Sequence, residues 1–522
     1  MAVGDDRRGL GAPPLWPSLL ACAVVAAWID FGTIHRLHHA DSLLYPLISL
    51  WHWTPFYWGQ DRFGMLVPLL ARPFAHPLIN LLVQDFLNLF GGLAAFVLLA
   101  RSMLRDATYP AVGLLGAASF LALVPPTYQA MYFIDACYGA WLAPGLGGLI
   151  ALESRPGGIS LGRLAAGLAL ILLAHWVNFA TALVLGPLVV ARWLWVGVAE
   201  WRRARRGGPV GGSRVGRLLA GLRRVIGSET AVALLLLALG AVVGRALTRL
   251  SSARVLTPLE SLDPIEWPEA WYGLAWNQWE ALAPRRLPAL LGGMAGLGLV
   301  MLAWPSVRRQ AAPAWRSAAA LVLAAVLIWL YTGTTLWARI NGYTYRYLIP
   351  SALMIQAALL AIGLAPLCRA VGPWTRQGLN TAIAAGLVAG AALTYGFPSA
   401  SGVRADIDRC FGARTADLID ARCTHLAGTY GQVWPSVFHA AIVLYERGEN
   451  HVVWAITGRS EATADLWSRV PPDRLRVAIP IGDPEGPIWL REFGFPPLQE
   501  VERRSTVLVL RPREAPTHYR AR

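Results

Sequence analysis

Long apolar segments separated by short polar loops recur along the first three quarters of the chain. A segment of about 17–25 apolar residues is long enough to cross a bilayer as a helix. The pattern predicts eleven spans, at about residues 15–34, 78–100, 111–128, 138–153, 161–175, 178–198, 226–248, 288–304, 317–337, 346–367 and 379–397. We therefore expect an α-helical polytopic protein whose membrane domain occupies residues 1–399.

From about residue 400 the apolar runs shorten, and strand-like segments alternate with helix-like ones. This alternation predicts a small α/β domain over 400–522. The predicted strands lie in 423–431, 451–457, 474–482 and 505–512, and the predicted helices in 434–448 and 460–470. Tyr430 and Trp434 could face a substrate or pack in the core, and Cys410 and Cys423 could form a disulfide in an oxidising compartment.

Composition supports the membrane assignment, because 55% of the 522 residues are hydrophobic and only 15% are charged. The net charge of +15 does not indicate nucleic-acid binding, since the arginines concentrate in short loops between spans. These are Arg202, Arg203, Arg205, Arg206, Arg214, Arg217, Arg223 and Arg224, then Arg308 and Arg309, then Arg369 and Arg376. The positive-inside rule places these loops in the cytoplasm. We expect a cytoplasmic N-terminus and, after an odd number of spans, an extracytoplasmic C-terminal domain.

The first outward loop, 35–77, concentrates polar side chains between two apolar segments. Polar groups are costly there unless they serve a pocket or a lipid surface. Residues 41–53 have the spacing of an interfacial helix that ends in tryptophans. Asp41 is the first candidate for a general base toward a hydroxyl, with its pKa raised by partial desolvation. The alternative is that Asp41 caps a helix starting at Ser42.

Two further groups of residues in this loop are candidates for binding a metal or a substrate. His35, His38 and His39 have the spacing of metal ligands, although histidines at an interface more often bind headgroups or form hydrogen bonds. No metal or other cofactor is expected, and a divalent metal at these histidines is the alternative. Arg62 could bind an anionic substrate beside Asp61, or the two could fix a turn. Asp30, near the end of the first span, is an ionisable residue within a membrane segment.

The later outward loops add a second set of candidates. Arg339, Asn341, Arg346 and Tyr347 lie near the start of the tenth span, where arginines among tyrosines suit a lipid phosphate or act as snorkelling anchors. Loop 250–286 mixes acids, among them Glu266, with tryptophans. Acids beside aromatic rings suit a sugar, and an amphipathic interfacial helix explains the same pattern.

These features together resemble the GT-C superfamily of membrane glycosyltransferases, which includes protein mannosyltransferases, aminoarabinose transferases and RgtA-like bacterial enzymes. The resemblance rests on Asp41 soon after the first span, on the Arg346-Tyr347-Leu348 start of a late span with Pro350, and on the soluble domain after the last span. It implies that Asp41 is the base and that late-loop arginines hold a lipid phosphate. The superfamily often has two adjacent acids where this chain has Asp41 and Ser42, so Asp61 is the candidate for the second carboxylate.

The resemblance implies an inverting glycosyltransferase of the bacterial cytoplasmic membrane. A polyprenyl-phosphate sugar would be the donor, and a lipid or glycan the acceptor, at the outer face. Its partners would be these substrates and membrane lipids, without nucleic acid. The missing dinucleotide fingerprint is consistent with a donor that is not a nucleotide. The alternatives are a transporter or flippase and a non-catalytic envelope-assembly protein.

Overall fold

The computed structural model describes residues 12–153, 159–205, 229–251, 260–282, 287–302 and 305–513. The α-helices of the first half are α1 (Trp16–Asp30), α2 (Ala40–Leu50), α3 (Leu66–Ala71), α4 (Pro77–Leu104), α5 (Tyr109–Leu123), α6 (Pro126–Ala130), α7 (Tyr138–Ala151), α8 (Leu161–Val177), α9 (Ala180–Arg205) and α10 (Glu229–Leu247). Those of the second half are α11 (Trp267–Leu282), α12 (Leu287–Leu302), α13 (Pro305–Gly333), α14 (Leu336–Ile340), α15 (Ile349–Ala370), α16 (Pro373–Tyr395), α17 (Ala400–Phe411), α18 (Thr415–Asp420), α19 (Tyr430–Glu446), α20 (Ala464–Trp467) and α21 (Gly486–Glu492). The strands are β1 (His425–Ala427), β2 (Trp454–Ile456), β3 (Val477–Pro480), β4 (Leu498–Arg503) and β5 (Val507–Pro512).

Every predicted apolar segment coincides with an apolar helix or with a bent pair of helices. Among the described residues, the segments long and apolar enough to cross a membrane are Pro77–Leu104, Glu229–Leu250, Ala314–Gly333, Tyr345–Ala370 and Pro373–Asp420. A sixth arises if Pro126–Asp135 and Tyr138–Ala151, bent by 67°, form one broken span. The other predicted segments correspond to shorter apolar helices. The helical membrane fold is confirmed, and the count of eleven spans stays a prediction.

The predicted cytoplasmic loops are described only in part. Arg206, Arg214, Arg217, Arg223 and Arg224 lie outside the described residues. Arg369 pairs with Asp106 at 2.6 Å, and Arg376 donates to the backbone oxygen of Cys368 at 2.9 Å. The orientation of the chain in the membrane stays a prediction.

The chain divides into two compact units. The helical unit comprises residues 1–27, 88–247 and 257–394, and the mixed unit comprises 28–87, 248–256 and 395–522. The first outward loop therefore belongs to the same unit as the C-terminal α/β segment. The predicted domain boundary at 399/400 stays a prediction.

In the helical unit, small residues allow close approach of helix backbones. At the start of α7, a Cβ on Gly139 would overlap the backbone nitrogen of Gly92 and the backbone oxygen of Asn88 in α4. Only a residue without a side chain fits there, which explains a glycine at this position of an apolar helix. Elsewhere in this unit α13 packs against α15.

The mixed unit contains the predicted small α/β fold. Its five strands form one sheet in the order β2-β1-β3-β5-β4. β1 is parallel to β2 and β3, whereas β5 is antiparallel to β3 and β4. Trp467, Ile456 and Val477 are fully buried in its core. The predicted strands and helices are confirmed, and the structure adds β4 and three helices that were not predicted, α17, α18 and α21.

The first outward loop is ordered by short helices of the mixed unit. The helix predicted over residues 41–53 corresponds to α2, and a second short helix of this loop is α3. α2 packs against α19, and Trp51 packs against Trp454 with ring centroids 5.0 Å apart. Cys410 and Cys423 are free cysteines, so the disulfide considered for them is not formed in this structure.

The glycine contact gives a stability prediction. We expect Gly139→Ala to destabilise the protein by about 1–3 kcal/mol, because the added methyl group must displace helix backbone. The measurement is the thermal unfolding midpoint of the purified protein in detergent. Gly186→Ala in α9 is the matched control, since nothing lies within 4 Å of its added Cβ. Equal midpoints for both variants would contradict the close packing of α4 and α7.

Candidate functional site

Asp41 lies in the first turn of α2, and its side chain does not cap the helix. The N-cap is His39, whose Nδ1 accepts the Asp41 backbone N–H at 3.2 Å. Ser42 completes the cap, because its Oγ accepts the His39 backbone N–H at 3.0 Å. The expectation that Asp41 caps a helix starting at Ser42 is therefore wrong, and the carboxylate is available for other contacts.

One oxygen of the Asp41 carboxylate is surrounded by hydrogen-bond donors. Tyr430 Oη donates to Oδ1 at 2.7 Å, and a guanidinium nitrogen of Arg459 forms a short ion pair with the same atom. Tyr57 Oη donates to the Asp41 backbone oxygen at 2.8 Å and lies 3.2 Å from Oδ1. The contacts of the Asp41 side chain within the described residues all use Oδ1. The second oxygen, Oδ2, therefore remains able to accept a proton or a hydrogen bond.

The electrostatic balance at Asp41 differs from the one we expected. Desolvation raises the pKa of Asp41, but the Arg459 charge and the Tyr430 hydrogen bond outweigh it, so the net pKa is lowered from 3.8. Burial raises the pKa of both Tyr57 and Tyr430, which therefore stay neutral donors. The expected raised pKa of Asp41 is therefore wrong, and the carboxylate is ionised at neutral pH.

The sheet topology brings Tyr430 and Arg459 to this point. Each follows the carboxyl end of one of two adjacent parallel strands, Tyr430 after β1 and Arg459 after β2. Side chains after neighbouring parallel strands meet at one edge of a sheet, the usual place for a binding site. Arg459 lies between two aromatic rings, 4.6 Å from the Tyr57 centroid and 5.1 Å from that of Tyr430. Trp434, the other aromatic candidate, is fully buried.

Sequence reasoning did not select Arg459 or Tyr57. Tyr57 is one of five aromatic residues between Trp51 and Trp58, and no polar residue next to it marked it as a candidate. Its position depends on the tight turn 57–63, in which Gly59 and Phe63 have φ of 70° and 60°. Arg459 is more than 400 residues from Asp41 in the chain, and only its place after a predicted strand could have indicated it.

Asp61 and Arg62 lie in the same turn. Asp61 is buried at 1% exposure, and Arg62 Nε donates to Gln60 Oε1 at 3.1 Å. The Arg62 guanidinium also lies 5.2 Å from the ring centroid of Phe63. The role of both residues toward a substrate stays a prediction.

The three clustered histidines do not act together. His39 caps α2, whereas His35 and His38 converge on Asp85 of α4. Sequence reasoning missed Asp85, which is the one acidic residue in the second apolar segment.

The second group of candidates lies in the helical unit. One terminal nitrogen of Arg346 donates to Asn341 Oδ1 at 2.7 Å and to Tyr347 Oη at 2.9 Å. Both acceptors are neutral, and Arg346 Nε is buried without a hydrogen-bond partner. The described part of the chain thus gives Arg346 no carboxylate as a hydrogen-bond partner.

Arg339 differs from Arg346 because it has an acidic partner. A terminal nitrogen of Arg339 pairs with Glu266 Oε1. Both side chains are partly exposed, at 46% and 35%. These two predicted substrate-binding residues therefore meet each other, and each would have to exchange its partner to bind a substrate.

A largely apolar cavity of about 370 Å³ adjoins the start of α15. Leu348 and Ser351, just after Arg346 in sequence, line one side of it. The other lining residues are mostly aromatic or aliphatic and include Phe120, Tyr128, Trp279 and Trp329. A cavity of this composition suits a hydrocarbon chain.

The ion pair of Asp41 gives a prediction about stability and pH. In a double-mutant cycle with Asp41→Asn and Arg459→Met, we expect a coupling of about 0.2–1 kcal/mol at neutral pH, because both groups are partly exposed. The native pKa of Asp41 lies below 3.8, so the coupling is present above that pH and is lost as the pH falls through the native pKa. The measurement is unfolding in detergent at a series of pH values.

An exposed pair provides the control for this cycle. Glu500 and Arg503 lie 3.6 Å apart with about half or more of each side chain exposed. Glu500→Gln with Arg503→Met should show a coupling near zero. A coupling for Asp41 and Arg459 no larger than in this control would contradict the network.

Comparison with known proteins gives structural neighbours only. No protein-family model matches the sequence, and no curated protein matches it. The structure of ArnT from Cupriavidus metallidurans bound to undecaprenyl phosphate aligns at a TM-score of 0.46 and 13% identity, over 94% of this chain and 97% of the ArnT chain. The apo structure of the same ArnT aligns at 0.42 and 12%, over 94% and 96%. A likeness of this degree assigns no activity, substrate or residue role to this chain.

Proposed function

We propose that this protein is a membrane glycosyltransferase that moves a sugar from a polyprenyl-phosphate donor to a lipid or glycan acceptor. The reaction would take place at the outer face of the cytoplasmic membrane. The observation that carries the proposal is the Asp41 carboxylate, which is ionised, held by three side chains through Oδ1, and open at Oδ2. The second requirement of this chemistry is a cation for the lipid phosphate, and Arg346, whose hydrogen-bond acceptors are both neutral, lies close in sequence to residues that line an apolar cavity.

Asp41 would act on the acceptor. Its Oδ2 would accept the proton of the acceptor hydroxyl while the hydroxyl oxygen attacks the anomeric carbon of the sugar. The bond from that carbon to the lipid phosphate breaks in the same step, and the configuration is inverted. A carboxylate of lowered pKa is a weak base, so proton transfer would occur late, when the attacking oxygen already carries positive charge.

Arg346 would act on the donor. The departing lipid phosphate gains negative charge, and a fixed cation stabilises that charge in a site from which water is excluded. Asn341 and Tyr347 hold the guanidinium without neutralising it. The cavity beside Leu348 would take the first isoprene units, which places the phosphate at the level of Arg346.

The remaining predicted residues would bind the sugar and its phosphate. On the side of the proposed donor, Glu266 would bind the sugar hydroxyls and Arg339 would bind the phosphate. Asp61 and Arg62 offer the same pair of charges in the first loop. No nucleotide or other cofactor takes part in the proposed transfer step.

Transfer of radiolabelled sugar from a polyprenyl-phosphate donor, measured on the purified protein, tests these roles. We expect Asp41→Asn to lower the rate by about 10²–10⁴-fold, because the base is lost while the shape is kept. Binding of the polyprenyl phosphate alone should be unchanged in this variant. Arg346→Gln should weaken that binding and also lower the rate by about 10²–10³-fold.

Two surface variants control for the change of charge. Asp465→Asn and Arg447→Gln alter exposed residues of the C-terminal segment and should leave both measurements unchanged. Full transfer by Asp41→Asn would remove Asp41 from the mechanism. Lipid movement across a vesicle membrane without sugar transfer would instead favour a flippase.

A further inference from the structure

The cluster of His35, His38 and Asp85 has no part in the proposed transfer. One nitrogen of each histidine and one carboxylate oxygen lie within 4.8 Å of one another. The three residues are 0%, 6% and 3% exposed. Two imidazoles and a carboxylate are thus packed together away from solvent, which is costly unless their polar atoms are satisfied.

The hydrogen bonds of His35 assign its tautomer. Nε2 lies 2.7 Å from the backbone oxygen of Asp30, which can only accept. Nε2 therefore carries a proton, and in the neutral ring Nδ1 keeps a lone pair. Nδ1 is buried without a hydrogen-bond partner and lies 3.5 Å from Asp85 Oδ2.

A second set of hydrogen bonds assigns the tautomer of His38. The single hydroxyl proton of Ser42 is donated to the backbone oxygen of His39 at 2.9 Å. Ser42 Oγ must then accept from His38 Nδ1, which lies 3.0 Å away. In the neutral ring, His38 Nε2 is then left with a lone pair, and this atom faces Asp85 Oδ2 at 2.8 Å.

Both lone pairs consequently point at the same carboxylate oxygen. A proton on His38 Nε2 would satisfy that histidine but leave His35 Nδ1 without a partner. Asp30 adds a second carboxylate, with Oδ1 buried, without a donor, and 3.9 Å from His35 Nε2. The ion pairs of Asp30 and Asp85 in the described part of the chain involve only histidine. The group therefore lacks positive charge at its centre.

We propose that His35 Nδ1, His38 Nε2 and Asp85 bind one divalent transition-metal ion of the Zn²⁺ class. Two imidazoles and a carboxylate are a donor set that such ions prefer, and a single ion would satisfy both lone pairs and the carboxylate. Asp30 and Ser42 complete the arrangement, because each accepts the N–H of one ligand imidazole and fixes its tautomer and orientation.

The two separations that involve Asp85 lie close to those of tetrahedral coordination, and the two histidine nitrogens lie within 4.8 Å of each other. Bonds of about 2.0–2.1 Å at tetrahedral angles place ligand atoms about 3.3 Å apart. The His35–Asp85 separation of 3.5 Å already matches, and the His38–Asp85 separation of 2.8 Å needs to widen by about 0.5 Å. A fourth position would remain for water or a further carboxylate.

The ion would fasten the segment between α1 and α2 to α4. Ser42, which orients His38, also belongs to the cap of α2, next to Asp41. The metal would thus position the first turn of the helix that carries the proposed base. This role is structural and does not depend on whether the protein transfers sugar.

The test uses the full chain, purified in detergent with a tag that contains no histidine. We expect about one zinc ion per chain by mass spectrometry, because a closed site of this kind retains its metal. Chelation should lower the thermal unfolding midpoint by several degrees, and Zn²⁺ but not Mg²⁺ should restore it. Asp85→Asn should lose the metal, and Ser42→Ala should weaken zinc affinity by about 10–100-fold.

Two histidine variants serve as matched controls. His439 is a buried histidine that hydrogen-bonds Asp408 at 2.7 Å, outside the cluster, and His439→Gln should keep the zinc. His39→Asn preserves a good N-cap and should also keep it. Loss of zinc in these controls would show that metal content follows general folding rather than the cluster.

If the variants of the ligand residues fail to fold, cobalt binding to the wild-type protein still tests the site. Visible absorption bands of tetrahedral Co²⁺ are expected on adding one equivalent to the chelated protein. The proposal would be overturned by a wild-type protein with three properties together. It would hold no stoichiometric metal, give no such bands, and have an unfolding midpoint that does not change with Zn²⁺. The cluster would then be held by a proton on His38.

Discussion

The ion pair between Asp41 and Arg459 fixes the first outward loop to the α/β segment within the mixed unit. Arg459 is 24% exposed in its side chain, and its ion pair with Asp41 balances its charge. Two tyrosine rings flank it, which adds cation–π stabilisation. Arg459 also adopts a left-handed backbone with φ of 70°, a conformation that costs about 1–2 kcal/mol for a residue with a side chain. Its contacts with Asp41, Tyr57 and Tyr430 oppose that cost.

The parallel part of the sheet explains why these partners meet. β1, β2 and β3 end at one edge, so the residues that follow them converge. Asp483 after β3 accepts the Thr429 backbone N–H at 2.7 Å, which orders the loop that presents Tyr430. A loop that is held by a neighbouring strand end can place a side chain more precisely than an isolated loop.

Hydrophobic pattern was enough to predict most helices, because burial in lipid or protein requires long apolar runs. The same pattern could not predict β4, since LQEVER carries charges on a mostly exposed strand. Sequence reasoning selected candidates where polar residues cluster in sequence, as around Asp41, and their roles toward a substrate stay predictions. Asp85 and Arg459 escaped because their partners are supplied by tertiary packing. The predicted direction of the pKa shift of Asp41 was wrong for the same reason, because Arg459, the neighbour that lowers this pKa, is distant in sequence.

A general base must be held to within about 0.5 Å of its working position, and α2 alone cannot provide this because a short helix moves as a body. Two separate sets of contacts act on its first turn. Asp41 is held through its carboxylate by Tyr430 and Arg459. His38 connects the cap at Ser42 to Asp85 of α4. The first set fixes the side chain and the second fixes the backbone, so neither replaces the other. A chain that keeps the ion pair but loses the histidine cluster should retain an ionised Asp41 in an imprecise position. Under the proposed function, this change would lower the turnover rate more than the affinity for the donor.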